Sequence, residues 1–383
     1  MAVPFIDLQR FEPGFVERWL NLCREITAGT QFVGGPRVAA FEERLTAELE
    51  VGGAVGCANG TDALQLALRA AGVGEGDRVL IPDATFWATF EAVVNCGARP
   101  VTVDVDPGDW QMDFELFRQA VERFRPRAAI LVHLYGWGSA RLDDFRTFCR
   151  RRHLPLIEDG AQAFGCRWRG ESIYRGAELA TISFYPAKVL GSCGDAGAVV
   201  GRDAAVLERV RRLGNHGRTL HYEHGLVGWN SRMAGLDAAY LSLSLDYLGP
   251  RLAARRRFAA RYRQRLAELG VATAAPPPGY EENGYVNVTL IPPEERPAWR
   301  RVLDGHGVGY GTIYPGSMSE QPAAEGFLAG RLGGDQARRL ARSVLNLPLF
   351  AGMRDDEFEA VMAAVEEAAG RGRRRPPGDG AFS

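Results

Sequence analysis

The chain has almost no net charge: 46 basic and 47 acidic residues leave −1 at pH 7. No bulk electrostatic attraction to nucleic acid or to an anionic membrane surface is expected from that balance. None of the six cysteines (Cys23, Cys57, Cys96, Cys149, Cys166 and Cys193) stands in a Cys-x-x-Cys pair, so the spacing of a thiolate metal site is missing and no metal is expected. The opening Met-Ala-Val-Pro-Phe-Ile-Asp-Leu-Gln-Arg has no basic stretch followed by an apolar one, so no secretion signal is expected. Scattered cysteines without such a signal point to reduced thiols and a cytoplasmic location. No apolar run is long enough to span a bilayer, and no internal repeat is visible. What is there is a chain of 383 residues, 46% hydrophobic and 24% charged, enough for two domains or one large domain with a lobe.

Residues 11–50 read as helical, with Val38, Phe41, Leu45 and Leu49 at helical spacing behind a Gly34-Gly35-Pro36 break. This opening segment is expected as an arm or first helix on a large domain. From about residue 53 strand and helix alternate. Strands are expected at Ala54–Ala58, Arg78–Ile81, Pro100–Val105, Ala128–Val132 and Leu154–Ile157, and in the apolar runs starting at Thr181 and Ala198. Helices are expected between them, at Ala63–Ala71, Thr85–Asn95, Asp113–Phe124 and Leu142–Arg152. Nearly continuous apolar strands imply helices on both faces of a mostly parallel, doubly wound α/β sheet. Ligands of such sheets bind beyond the carboxyl ends of the strands. After about residue 202 helices dominate. Gly249-Pro250 separates the apolar Leu236–Leu248 from the basic Arg251–Leu269, and strand-like runs at Tyr285–Ile291 and Val308–Tyr310 lie among helices at 295–305 and 355–369. The expected division is a large domain over 1–249 and a smaller α+β domain over 250–369. The Gly/Pro/Arg-rich residues 370–383 read as a disordered tail. Their arginine run lacks the interleaved aromatics of a nucleic-acid patch.

Three features fall at strand ends. Asn59-Gly60-Thr61-Asp62 opens the helix after the first strand, where backbone N–H groups and the Thr61 hydroxyl make an anion site. The same four residues also read as an ordinary capped helix start. Glu158-Asp159-Gly160-Ala161-Gln162 delivers a carboxylate from a strand into a turn. Ser183-Phe-Tyr-Pro-Ala-Lys188, followed by Gly191, Gly194 and Gly197, delivers one lysine into a Gly-rich turn between two buried strands. Such a turn can hold an amine partly out of water, and a neutral amine is what Schiff-base chemistry needs. Cys193, nearby, reads as a small residue packed in the turn rather than as a nucleophile. A phosphate cradle, an acid and a lysine in one crevice match pyridoxal 5′-phosphate: the lysine binds its aldehyde, the carboxylate holds its ring nitrogen protonated, and the helix terminus takes its phosphate. Phe86, just after the second strand, is placed to stack on the ring or to sit in the core.

Taken together the chain resembles the DegT/DnrJ/EryC1/StrS family of sugar aminotransferases. The motifs run in order from Phe5-Ile-Asp-Leu8 through Gly34-Gly-Pro-Arg-Val38, Asn59-Gly-Thr-Asp-Ala-Leu64, Thr85-Phe-Trp-Ala-Thr89, His133-Leu-Tyr-Gly136, Glu158-Asp-Gly-Ala-Gln162, Ser183-Phe-Tyr-Pro-Ala-Lys188 and Gly228-Trp-Asn-Ser-Arg-Met233 to Leu347-Pro-Leu349. The resemblance implies the type I aminotransferase fold, an α/β architecture whose mostly parallel seven-stranded sheet is flanked by helices and followed by a smaller C-terminal α+β domain. It implies that Lys188 links the cofactor and moves a proton between Cα and C4′, that Asp159 partners the pyridinium nitrogen, and that Gln162 lies near the ring hydroxyl. Phe86 then matches the stacking aromatic, and Gly60, Thr61 and Ser183 match phosphate contacts. Asn230 matches an asparagine reaching the neighbouring subunit's phosphate, which implies a homodimer with shared active sites. Tyr314, Tyr185 and Trp137 are expected on the substrate side.

Some positions depart from the family pattern. Gly160 stands for a usual alanine, Phe164 for a usual histidine, and Ile313-Tyr314-Pro315 for a frequent His-Tyr-Pro. Ala196 is inserted where Gly-Glu-Gly-Gly is common, and Trp137 replaces a small or polar residue. The implied activity is amino transfer from L-glutamate, or glutamine, to a nucleotide-linked keto-sugar. Two other readings stand beside it. One is a pyridoxamine-dependent sugar dehydratase, whose members carry histidine in place of the lysine. The other is a non-catalytic cofactor-binding regulatory protein.

Overall fold

The computed structural model describes residues 1–372. Strands form where the apolar runs are: β1 (Gly53–Cys57), β2 (Arg78–Pro82), β3 (Arg99–Val103), β4 (Ala128–Val132), β5 (Leu156–Asp159), β6 (Leu179–Ser183) and β7 (Gly197–Gly201). They join an eighth, β8 (Gly330–Leu332), in one sheet of order β1-β7-β6-β5-β4-β2-β3-β8. β7 runs antiparallel to both neighbours and every other pairing is parallel. The expected seven strands are therefore eight. The added strand is too short and too polar to read from sequence; Asp104 secures it, its N–H donating to the Leu332 carbonyl at 2.9 Å.

Side chains alternate across this sheet, as the two-residue repeat of a strand requires. Leu80, Val101, Val103, Ala129, Leu131 and Ile182 enter one core. Val79, Ile81, Ile130, Val132 and Ile157 enter another on the opposite face. Helices cover both: α1 (Phe15–Gly29), α2 (Pro36–Glu48), α3 (Gly60–Ala70), α4 (Trp87–Asn95), α5 (Phe114–Phe124), α6 (Leu142–Arg152), α7 (Ala204–Gly214) and α8 (Gly235–Leu245). Short polar side chains start several of them, Asn59 accepting from the Asp62 N–H, Asp113 from Leu116 and Asp203 from Ala205, each at 2.8 Å.

The chain then enters α9 (Leu248–Glu268), α10 (Arg296–Gly305), α11 (Asp335–Ser343) and α12 (Asp355–Gly372). Gly249 and Pro250 lie in the first turn of α9 rather than before it, where a missing N–H costs little. Phe258, Tyr262, Trp299, Leu303, Phe358 and Val361 form a third core between α9, α10 and α12. Beside it a small antiparallel sheet pairs Ala272–Thr273, Thr289–Leu290 and Val344–Leu345. The run expected as a strand from Tyr285 is paired only at Thr289–Leu290, because side-chain amides take its earlier backbone partners: Asn283 Oδ1 accepts the Tyr285 N–H and Asn346 Nδ2 donates to the Asn287 carbonyl. Val308 forms an isolated bridge with Val3 and no strand.

The two opening helices pack on the main-sheet side, α1 on α8 and α2 on α8 and β1, while residues ahead of them reach the elements of the third core. Val3 donates to the Gly307 carbonyl, and Arg10 clasps Glu357 of α12 at 2.6 and 2.7 Å. Residues 370–372, expected in the tail, continue α12; residues 373–383 lie outside the described residues. No helix among the described residues is long and apolar enough to cross a membrane.

Candidate active site

The sheet register brings the three strand ends together. Asp159 closes β5 opposite Thr181 of β6, and Gly197 opens β7 opposite both Ser183 and Cys57. The turn after β1 is thereby pressed against β6. A Cβ on Gly60 would stand 2.6 Å from Ser183 Cβ, and one on Gly197 would collide with the Asn59 carbonyl. Both positions need glycine for this close approach. The result is a cavity of about 610 Å³ at the carboxyl edge of the sheet.

Nine of the expected residues line it: Gly60, Thr61, Phe86, Asp159, Gln162, Ser183, Tyr185, Lys188 and Tyr314. Asn59 caps α3, so the helix-start reading and the anion-site reading both hold: the cap occupies the Asp62 N–H and leaves those of Gly60 and Thr61 without intrahelical partners. Asp159 is 5% exposed. Its Oδ1 accepts the Ala161 N–H at 3.0 Å and its Oδ2 the Thr89 hydroxyl at 3.3 Å, while Thr89 meets Thr85 at 2.9 Å. Burial raises the Asp159 carboxyl above its ordinary value, against the lowering pull of the Ala161 N–H and of Lys188. Gln162 accepts the Tyr135 N–H at 2.7 Å and donates to the Tyr314 hydroxyl at 2.8 Å. The rings of Tyr314 and Phe86 lie 5.4 Å apart. Phe86 and Tyr185 are each 55% exposed, at the cavity rim. Lys188 is half-buried, and its Nζ stands 3.4 Å from the Tyr285 hydroxyl.

Behind Asp159 lies a buried ion cluster. Arg146 binds both oxygens of Glu158 at 2.8 Å, and His133 Nε2 meets Glu158 at 2.9 Å. Burial opposes a charged Glu158, but the Arg146 guanidinium and hydrogen bonds from His133 and Arg146 outweigh it and hold the carboxyl down at about 2. The His133 N–H donates to the Asp159 carbonyl, tying the cluster to the site.

Two expected residues are elsewhere. Trp137 is 1% exposed in the core, its indole N–H donating to the Asp109 carbonyl at 3.1 Å, and it does not reach the cavity. Tyr135 at φ 67° turns the chain, so that Tyr135 faces Ile313 while Trp137 faces inward. Asn230 is exposed outside its own chain's cavity and accepts from Arg232 at 2.7 Å. Sequence reasoning missed Thr85, Thr89, Thr181 and Tyr285. The i, i+4 spacing of the two threonines inside Thr85-Phe-Trp-Ala-Thr89 was a usable signal; Tyr285 had none.

A second cleft, of about 460 Å³ between Trp110 and Trp299, holds none of the expected residues. Among the described residues no group of three or more His, Cys, Asp or Glu could hold a metal ion.

The model of the DegT/DnrJ/EryC1/StrS aminotransferase family matches residues 15–366. The chain belongs to that family. It is 36% identical over 373 residues to the dTDP-3-amino-3,4,6-trideoxy-alpha-D-glucose transaminase of Streptomyces venezuelae, covering 96% of this chain and 97% of that protein. It is 33% identical over 366 residues to the UDP-2-acetamido-2-deoxy-3-oxo-D-glucuronate aminotransferase of Pseudomonas aeruginosa, covering 95% and 99%. The crystal structure of S. venezuelae DesV in complex with a ketimine intermediate superposes with a TM-score of 0.91 at 35% identity, over 98% of this chain and all of that one. This DegT/DnrJ/EryC1/StrS aminotransferase thus has the type I fold, and its cofactor is pyridoxal phosphate. The residues fit that group. Thr181, on the cavity wall, has a buried hydroxyl without a partner. Asp159 is a buried carboxylate whose pKa burial keeps high, as if awaiting a cation. The α3 N-terminus presents free N–H groups to an anion.

Proposed function

We propose that this aminotransferase moves an amino group from L-glutamate, or glutamine, to a nucleotide-linked keto-sugar. The product is an amino sugar for a surface polysaccharide or a glycosylated metabolite. The observation carrying the site assignment is the convergence of Lys188, Asp159 and the α3 N-terminus on one cavity; the nucleotide-sugar names of the relatives support the substrate class. Bound pyridoxal phosphate supplies a carbon that carries the amino group and a ring that draws electrons from it. Lys188 Nζ takes the proton from the substrate carbon and returns it on the other side of the transfer. Asp159 holds the proton on the ring nitrogen. The N–H groups of Gly60 and Thr61, with Ser183, bind the phosphate. Phe86 covers the ring, and Gln162 fixes the Tyr314 hydroxyl towards the substrate, with Tyr185 at the entrance. The lysine at position 188, where the dehydratases carry histidine, favours transfer over dehydration.

A homodimer completes the site in this reading. Among the described residues no arginine or histidine lines the cavity, while Asp62, Glu91, Asp159 and Asp195 do. A site for phosphates needs more cations than Lys188. The Asn230 loop adjoins an exposed hairpin (Arg218–Leu220 with Glu223–His224) that carries Arg218 and presents Leu220 and Tyr222 at 66% and 82% exposure, as an interface would. The division into 1–249 and 250–369, with Gly330–Leu332 returning to the sheet of the first part, and a cytoplasmic location consistent with six unpaired cysteines, belong to the same proposal. The test is stepwise: glutamate should shift the visible cofactor band to the near-ultraviolet, and a nucleotide-linked keto-sugar should restore it with an amino sugar detected by mass spectrometry. A chain whose band does not respond to glutamate has been assigned the wrong donor.

A further inference from the structure

Tyr285 comes from the C-terminal part of the chain, far in sequence from the strand ends, yet it lines the same cavity. Its hydroxyl accepts from Lys188 Nζ at 3.4 Å, and Nζ stands 5.2 Å from the centre of its ring. The residue is fixed from behind. Asn283, wholly buried, accepts the Tyr285 N–H through Oδ1 at 2.8 Å and donates through Nδ2 to the carbonyls of Gln162 and Phe164 at 2.7 and 2.9 Å. Arg255, also buried, donates to the carbonyls of Gly284, Tyr285 and Leu349. One amide therefore positions both Tyr285 and the turn after β5 that carries Gln162.

We propose that Tyr285 is a catalytic residue of the amino transfer, holding Lys188 Nζ whenever that amine is not bonded to the cofactor. The proposal rests on the assignment of Lys188 above. A free Lys188 that has taken one proton from the substrate carbon is an ammonium with three N–H groups. One is donated to the Tyr285 oxygen, with the ring centre 5.2 Å from Nζ. When the proton passes to the second carbon the neutral amine is restored. Tyr285 keeps its own proton throughout, and nothing is consumed.

Lys188 is the only lysine in the sequence, so its amine can be followed without interference from others of its kind. In cofactor-free protein, reductive methylation followed by peptide mass mapping reports one side-chain amine, with the N-terminal amine as internal reference. Tyr285→Phe removes only the hydroxyl and keeps the ring. Its Lys188 should be methylated faster relative to the N-terminal amine, because the hydroxyl that holds the amine in place is lost, and Tyr285→Leu should be faster still. In the holoenzyme, Tyr285→Phe should slow the glutamate half-reaction about ten- to hundredfold, as loss of one hydrogen bond to a charged group predicts, with the half-saturating glutamate concentration unchanged. Wild-type behaviour of the Phe variant in either readout overturns the proposal. Lys188→Ala separates the two levels: if it still transfers the amino group, the assignment of Lys188 has failed; if it is dead while Tyr285→Phe is normal, only the role of Tyr285 has.

Discussion

The Tyr174 hydroxyl donates to the Gly160 carbonyl at 2.7 Å, and the Tyr174 ring occupies the space where a Cβ on Gly160 would stand. The glycine that departs from the family's usual alanine is thus one half of a packed pair, directly after Asp159. Gly160→Ala should cost about 1–3 kcal/mol, the range for overpacking a buried site. Denaturant unfolding of the variant alone and combined with Tyr174→Leu checks this: the second change should recover part of the loss.

Asp159 should trade stability for activity. Its folded pKa is raised by burial, so the cofactor-free chain loses stability as pH rises through that value. Asp159→Asn escapes this loss and should melt higher than wild type when both lack cofactor, with the gap opening as pH rises from acid to neutral. With cofactor bound the same change should cripple amino transfer, because the ring nitrogen loses its charge partner. Melting curves of the cofactor-free proteins across pH decide the first half, and the rate at which glutamate shifts the cofactor band in the loaded proteins decides the second.

The Glu158–Arg146 pair should show in acid. The folded pKa of Glu158, about 2, lies below the ordinary value of about 4.3. Its contribution is therefore full above the unfolded value and is lost as pH falls towards 2. Arg146→Met leaves a buried carboxylate without its main partner and should cost about 3–5 kcal/mol at neutral pH. The gap to wild type should narrow on acidification, as seen by denaturant titration at neutral pH and near pH 3.

Shared sites predict complementation. Lys188→Ala disables a chain's own cavity, whereas Asn230→Ala should weaken the cavity of its neighbour. Co-expressed, the two variants place both defects in one site of the hybrid and leave the other whole. The mixture should then be more active than the sum of its parts. Activity no higher than that sum, with dimers present by light scattering, removes Asn230 from the shared site.

The legible parts of this molecule were those where one local stretch carries the whole signal. Lys188, Asp159 and Gly60 each follow an apolar strand, and a parallel sheet puts such ends on one edge. Thr181 was hidden because its place in a strand says nothing about which hydroxyl lacks a partner. Tyr285 was hidden because the contact depends on how a distant segment folds back through Asn283. Trp137 stands beside a site motif without reaching the site, because one residue with positive φ, Tyr135, turns the chain and Trp137 enters the core. The eighth strand had no apolar run to show it and depends on hydrogen bonds from β3.

Tyr314 sits on a short span fixed at both ends. Towards the third core, the Ile313 N–H donates to Asn346 Oδ1 at 2.7 Å; towards the main sheet, Met318 and Ser319 donate to Asp83 at 2.8 and 2.7 Å. The residues between them behave as a tether joining two bodies. Tyr314 accepts from Gln162 at 2.8 Å, so a shift of the C-terminal helices against the sheet would reach the cavity wall through this span. This span is one of several links between the two, and it carries a side chain of the cavity, so a change in its length or stiffness should be felt at Tyr314.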